Sequence, residues 1–186
     1  HNIQNALASI AIAIQLKIPI TKIKKTLKSF TGVERRFQEV GNFRGTLIID
    51  DYGHHPVEIS AALAAARLIT PKHKIISVFQ PHRYSRLKDL FDDFCSSFND
   101  ADHVLLLDVY SAGEKPIPNF ESINLKSGLS NYGHKNVTYI KNEKSLVRTL
   151  SKLIQTNDLV ICLGAGSITK IANKLEDDLY DEYKSI

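Results

Sequence analysis

A chain of 186 residues with 43% hydrophobic content is long enough to bury a core without covalent or metal staples, and its length suggests one ordinary domain plus a fragment of another. Cys95 and Cys162 lie far apart and lack any C-x-x-C or His-rich spacing, which argues against a zinc site or disulfide framework and for two buried, reduced thiols. A net charge of +4, with bases interspersed among acids outside the Lys22 to Lys28 cluster, gives no footprint for nucleic acid; it suits anionic small substrates such as nucleotides, and equally an ordinary solvated surface.

The chain opens inside a helix. Ile3, Leu7, Ile10, Ala11 and Ile14 recur at helical spacing with no capping segment before them, the pattern of a fragment whose upstream part has been removed. Pro19 closes this region, a second short helix runs over Thr21 to Ser29 with Ile23 and Leu27 on one face, and Thr31-Gly32 ends it. From Phe37 the pattern becomes extended. Phe37 to Val40 and Gly45 to Asp51 read as a strand pair separated by the turn-prone Gly41-Asn42. Further strands are expected at Lys74 to Phe79, His103 to Val109, Val137 to Ile140 and Leu159 to Leu163. Between them lie helical faces built from Leu87, Leu90, Phe91, Phe94 and Phe98, and from Ile168, Ile171, Leu175 and Leu179. Such alternation predicts an α/β fold: a Rossmann-like open, mostly parallel sheet with helices on both faces, preceded by a short helical remnant. No apolar run approaches the roughly 20 residues of a membrane helix, and no signal-peptide order is present, so a cytoplasmic location is expected.

Open α/β sheets bind ligands at the C-terminal ends of their strands, and three polar clusters follow strands here. They are Asp50 to Pro56, Gln80 to Arg86 and Asp108 to Glu114, which share one rim if their strands are parallel. In the first cluster, adjacent His54 and His55 on a turn point apart and match no metal-ligand spacing, so no metal site is expected. Asp51 at a strand end suits ribose hydroxyls, or it caps the helix that Pro56 begins. Arg83 and Arg86, three residues apart, share a face if helical and clasp a carboxylate or phosphate, unless they belong to a solvated helix start. An unpaired positive charge is unfavourable at a helix N-terminus, which favours a bound anion there. Arg35-Arg36 either reaches toward phosphate or is surface charge. The Gly164-Ala165-Gly166-Ser167 turn either offers amides to an anion or packs strand against helix, with Ser167 as an N-cap.

These stretches resemble the Mur ligase family across the whole chain. His1-Asn2-Ile3-Gln4-Asn5-Ala6-Leu7-Ala8-Ser9 is similar to the H-N-x-x-N-x-x-A-A segment near the end of the family's central ATPase domain. Gly32-Val33-Glu34-Arg35-Arg36-Phe37 resembles its interdomain linker, with Arg36 the match to the family arginine. The resemblance thus implies that residues 1–33 are the end of the central domain with its linker, and 34–186 the C-terminal domain. Asp51-Tyr52-Gly53-His54-His55-Pro56 is similar to the motif whose aspartate contacts the ATP ribose, and its double histidine points to the alanine-adding branch. Phe79 to Arg86, Tyr110 to Glu114 and Gly164-Ala165-Gly166 also match, with Ser9 and Ser167 in place of the commoner Ala and Asp.

By resemblance, Asn2, Asn5, Arg36 and Asp51 would bind ATP, while Tyr52, His54, Arg83 and Arg86 would hold the amino-acid and nucleotide-sugar carboxylates. Arg36 and His54 are the expected catalytic residues. The family reaction uses ATP and Mg2+ to phosphorylate the UDP-N-acetylmuramate carboxylate, after which L-alanine attacks the acyl phosphate in a step of peptidoglycan synthesis. No G-x-x-x-x-G-K-[ST] phosphate loop occurs in this chain, and the magnesium ligands are expected in a missing central domain, so the chain alone is expected not to catalyse. Its expected partners are therefore the two substrates and the missing N-terminal and central domains of the same polypeptide. Three alternatives remain: a ligase that attaches a preformed peptide, a free-standing nucleotide-binding module, and a metal-dependent phosphoesterase resting only on the Asp and His cluster.

Overall fold

A computed structural model describes residues 2–30 and 32–185, without the side chain of Asn2. His1 of the ATPase-like segment and Thr31 of the helix-ending pair therefore lie outside the described residues, as does the Asn2 side chain. The chain divides into two compact units, His1–Val33 and Glu34–Ile186.

The first unit is a pair of helices, α1 (Asn2–Gln15) and α2 (Ile20–Ser29). Helix α1 ends at Gln15, four residues before Pro19, because Lys17 takes φ 56° and the Lys17 and Ile18 amides donate back to Ile14 and Ala13. That is a Schellman ending with lysine where glycine is usual. In α2, Ile23 is the partly covered member of the apolar stripe, and Lys22, Lys24, Lys25 and Lys28 are exposed.

In the second unit the described residues form strands β1 (Gln38–Phe43), β2 (Thr46–Asp51), β3 (Ile75–Phe79), β4 (His103–Leu106), β5 (Val137–Tyr139) and β6 (Leu159–Leu163). Their order is β1-β2-β6-β3-β4-β5, parallel throughout except for the antiparallel edge strand β1. Strand β6 lies between β2 and β3 and is buried along its whole length, which is why Leu159-Val160-Ile161-Cys162-Leu163 has no polar alternation. Period-two alternation sends Leu159, Ile161 and Leu163 into one core and Val160 and Cys162 into the other. The first core is covered by α3 (Pro56–Ile69), α4 (Tyr84–Asp89), α5 (Phe91–Ser96) and α6 (Ser122–Asn131). Covering the second are α7 (Glu143–Leu153), α8 (Ile168–Ala172) and α9 (Leu175–Lys184). Both cysteines are buried free thiols, and burial raises the pKa of each, Cys95 to about 11. Among the described residues no helix is long and apolar enough to cross a membrane.

Three local expectations are corrected. The hairpin turns at Arg44-Gly45, with φ of 53° and 87°, and not at Gly41-Asn42, which lie within β1. Both central residues of that turn sit at positive φ, matching the right-handed twist of the strands. Gly41 instead marks a bulge after Glu39, where an added Cβ would lie 2.8 Å from Glu176 Oε2, and Asn42 Oδ1 accepts the Gly45 amide at 3.0 Å. The apolar face from Leu87 to Phe98 belongs to two helices separated at Leu90 (φ −121°), and Ile168 to Leu179 likewise spans two. Neither break carries glycine or proline, so helical spacing runs straight through both.

Helices α5 and α6 approach closely at Gly128, where a Cβ would lie 2.5 Å from Cys95 Sγ and 2.9 Å from the Phe91 ring. Glycine to alanine inside a helix ordinarily stabilises by about 1 kcal/mol. Here the sign reverses: Gly128→Ala is expected to cost about 1–3 kcal/mol through overpacking, read as a lower urea midpoint.

Candidate functional site

Parallel pairing brings the strand ends into one row. Asp51 lies opposite Leu163, Leu163 opposite Phe79, and Phe79 opposite Leu106, so the segments that follow these residues share the C-terminal edge of the sheet. At the start of the row two adjacent aspartates diverge. Asp50 is 1% exposed on the face of the second core, accepts a hydrogen bond from the Thr169 hydroxyl, and stands 3.8 Å from Arg35 Nε. Burial pushes its pKa up, against the lowering effects of Thr169 and Arg35. Asp51 faces the other way. Its Oδ1 accepts the Gly53 amide at 2.7 Å and its Oδ2 the Phe37 amide at 2.8 Å, and burial raises its pKa in spite of both bonds.

Asp51 is not the cap of α3. His55 occupies the N-cap position, Pro56 the first helical one, and Glu58 reaches back so that Oε2 accepts the His54 and His55 amides at 3.0 and 3.1 Å. His54 Nδ1 lies 2.9 Å from the Tyr52 carbonyl and 3.3 Å from Glu58 Oε2, both acceptors, so Nδ1 carries a proton and Nε2 is the ring nitrogen these contacts do not engage.

An aromatic chain continues along the rim. Tyr52 meets His54 edge-on at 5.2 Å, His54 meets His82 at 5.9 Å, and His82 stacks on Tyr110 at 5.3 Å. Arg86 Nη1 donates to His82 Nδ1 at 3.2 Å and to the His82 carbonyl at 3.1 Å. Burial, followed by the Arg86 charge, holds the His82 pKa below its ordinary value. Arg83 corrects the expectation of a shared helical face. It occupies the N-cap position of α4 at φ 74° and pairs with Glu114 across 3.6 Å, so its charge at the helix start is not unpaired. Asp51, Tyr52, His54, Arg83 and Arg86 therefore belong to one rim, with His82 and Tyr110 between them. Asn5 is exposed on α1 in the first unit.

Arg35 and Gln80, neither of them among the expected site residues, organise this rim. Arg36 is exposed and acts on Asp51 through its charge, whereas it is Arg35 that turns inward. Arg35 Nη2 donates to the Gly164 carbonyl at 2.7 Å, and its guanidinium lies 4.7 Å above the Tyr52 ring. Gln80, 8% exposed, accepts the Ile168 amide through Oε1 at 3.0 Å and donates to Ser167 Oγ at 3.2 Å, so it supplies the cap of α8 in place of the Ser167 side chain. Strand and turn pack closely here: a Cβ on Gly166 would lie 2.5 Å from Gln80 Oε1 and 2.6 Å from the Tyr110 ring. The only advance signal for Gln80 was its position at a strand end before Pro81.

Residues 35–166 match the family described as Mur ligase, glutamate ligase domain. The chain belongs to the Mur ligase family. It is 50% identical over 179 residues to the UDP-N-acetylmuramate–L-alanine ligase of Azorhizobium caulinodans, covering 96% of this chain and 38% of that relative. The UDP-N-acetylmuramate–alanine ligase of Thermotoga maritima has the same fold over the full chain and 38% of its own, with a TM-score of 0.78 and 27% identity. A murein peptide ligase from Psychrobacter arcticus shares the fold at a TM-score of 0.68 and 20% identity, over 96% of this chain and 37% of its own. The chain thus spans less than two fifths of the length of these Mur ligases.

The Asp51 carboxylate retains accepting capacity at the rim. Each Asp51 oxygen commits one lone pair to a backbone amide and keeps another for a hydroxyl donor. Among the described residues no group of three or more His, Cys, Asp or Glu side chains is disposed to hold a metal ion.

Glu58 fixes the turn that carries His54. Burial raises its pKa, but the His54 and His55 amides, together with the charges of those two residues, leave it below the ordinary glutamate value. A lowered folded-state pKa contributes stability that is present above the unfolded value and lost as pH falls through the folded one. Glu58→Ala is expected to cost about 1 kcal/mol at neutral pH. The gap between variant and parent in urea unfolding should close on acidification below the glutamate range; a constant gap would assign the loss to packing.

Proposed function

We propose that this chain is the ATP-closing, carboxylate-positioning part of a cytoplasmic ligase that joins L-alanine to UDP-N-acetylmuramate. ATP phosphorylates the sugar nucleotide's carboxylate, the L-alanine amine attacks the acyl phosphate, and an amide forms with release of ADP and phosphate. The observation that carries the reading is the rim itself: one oriented carboxylate, Asp51, at one end and two arginines beside two histidines at the other. Identity of 50% to the alanine ligase from Azorhizobium caulinodans supports the choice of substrates. In this reading residues 1–33 end the central ATPase domain, 34–186 form the C-terminal domain, and the remaining domains belong to the same polypeptide.

Roles follow from chemistry at each position. Asp51 accepts from the ATP ribose, Asn2 and Asn5 are assigned to ATP by the family resemblance alone, and Arg36 steadies the transferring phosphate. Arg83 and Arg86 bind the reacting carboxylates, and Tyr52 lines the same site. His54, its Nδ1 proton held by Tyr52 and Glu58, offers Nε2 to the proton leaving the L-alanine ammonium group. ATP supplies the phosphoryl group and magnesium would screen its charge from ligands outside this chain. A peptide-adding ligase is the second reading, and the fold it shares with the murein peptide ligase does not separate the two. Rates with L-alanine and with a tripeptide acceptor in the full-length protein do.

Two results test the assignment. The chain alone is expected to fold and to form no amide from ATP and the two substrates, since it contains no phosphate loop. In the full-length protein, Arg83→Ala or Arg86→Ala should raise KM for a carboxylate substrate about 10- to 100-fold while leaving ATP affinity intact. Arg→Lys should restore little, because an ammonium lacks the bidentate fork. Asp51→Asn should do the reverse, weakening ATP binding first. Wild-type constants for both carboxylates in both alanine variants would return the arginines to the solvated surface.

A further inference from the structure

Glu114 has no assigned part in holding substrate or nucleotide, yet its carboxylate is committed to the segment that carries Arg83. It accepts the Ser85 amide at 2.9 Å and the Ser85 hydroxyl at 2.7 Å, which caps the start of α4, and it stands 3.6 Å from Arg83 Nη1. A tight turn delivers it there. Ala112 and Gly113 lie at φ 50° and 87°, and the Glu114 amide closes the turn on the Ser111 carbonyl at 3.0 Å. The same loop grips the backbone as well: Tyr110 N donates to the Pro81 carbonyl at 2.8 Å, and Arg83 N to the Tyr110 carbonyl at 2.9 Å.

That double grip explains how Arg83 is kept in an unfavourable conformation. At φ 74° and ψ 134° it occupies a region that L-residues with a Cβ rarely enter, and such strain persists only where surroundings over-determine it. Its side chain is half exposed, and among the described residues Glu114 is the acidic partner that restrains the guanidinium. Glu114 faces Nη1, leaving the other donors of the fork without a protein acceptor among the described residues. Hydrogen bonds from Ser85, with the Arg83 charge behind them, hold the Glu114 pKa below its ordinary value.

We propose that Glu114 is a positioning residue that fixes Arg83 in this strained geometry so that the open donors of its guanidinium receive a substrate carboxylate. The proposal rests on the reading of Arg83 as a carboxylate ligand, and it extends the site to the 110–114 loop. A competing role is available to the same pair: a carboxylate so close to Arg83 would weaken substrate binding if it merely occupied the arginine. The two roles predict opposite signs.

The test uses the full-length protein with Glu114→Ala, Glu114→Gln, Arg83→Ala and the Arg83→Ala/Glu114→Ala pair, varying UDP-N-acetylmuramate, L-alanine and ATP in turn. Glu114→Ala should raise KM for one carboxylate substrate about tenfold, a usual coupling for groups in contact, with KM for ATP unmoved and circular dichroism unchanged. Glu114→Gln, which keeps an acceptor for Ser85 but no charge for Arg83, should fall between. In the Arg83→Ala background Glu114→Ala should add nothing. A lowered KM in Glu114→Ala would show that Glu114 competes with substrate, and additive losses in the pair would show that it acts apart from Arg83; either overturns the proposal, as do wild-type constants in Glu114→Gln. Arg83→Ala by itself reports on the carboxylate reading, so wild-type behaviour there sinks that reading and this proposal together, whereas an impaired Arg83→Ala beside unaffected Glu114 variants sinks this proposal alone.

Discussion

The in-register parallel pairing of β2, β6, β3 and β4 is the constraint on which the site depends. Parallel strands cannot turn directly into their neighbours, so each chain segment must leave the sheet at the same edge and return through a helix. Every loop that departs after Asp51, Phe79, Leu106 and Leu163 is thereby delivered to one rim, whatever its distance in sequence. Apolar burial on both faces fixes the register. Sliding β6 by one residue would carry Ile161 and Cys162 into the wrong cores, and the two cores are built from different residues.

The same period of two gives Asp50 and Asp51 separate tasks. Asp50 points to the face of α8 and takes the Thr169 hydroxyl and the charge of Arg35, whose side chain holds the Gly164 turn. Asp51 points to the face of α3, and the Phe37 and Gly53 amides orient it at the rim. One carboxylate is engaged by a hydroxyl and a guanidinium, and its neighbour by two backbone amides at the rim. A backbone that alternates faces can place both within one residue of each other without the two charges competing for the same partners.

Hydrophobic pattern made the sheet, its parallel sense and its three polar clusters legible, because burial on two faces writes apolar runs such as Leu159 to Leu163, and Ile75 to Phe79 broken only by Ser77. Local backbone conformations left weaker traces. The hairpin turn at Arg44-Gly45 was hidden by a more turn-like Gly41-Asn42, whose glycine serves a bulge, and the helix breaks at Leu90 and before Leu175 carry no breaker residue. At the rim, spacing pointed to Arg83 and Arg86, but it took three dimensions to show that Arg83 is not helical. Arg35 and Arg36 are adjacent and alike in sequence; φ 58° at Arg35 is what turns that side chain inward and leaves Arg36 exposed. Gln80 acts across 87 residues, a separation beyond the reach of any periodic signal.

Several residues of the rim carry backbone strain. Arg35, Phe37, Arg83 and Ala112 all adopt positive φ without being glycine, and each belongs to the rim, whereas Arg44 and Asn157 serve turns at the opposite end of β2 and β6. Such conformations cost on the order of 1–3 kcal/mol apiece and must be held from several sides. The rim residues are so held: Arg35 donates its amide to Gln38 and receives that of Tyr52, Phe37 donates to Asp51, and Arg83 donates to Tyr110. Each partner is itself a rim residue or an immediate neighbour of one. The bonds that orient candidate ligand-binding side chains are therefore the same bonds that offset the strain, so loosening any one of them is felt by side chains from several strand ends at once.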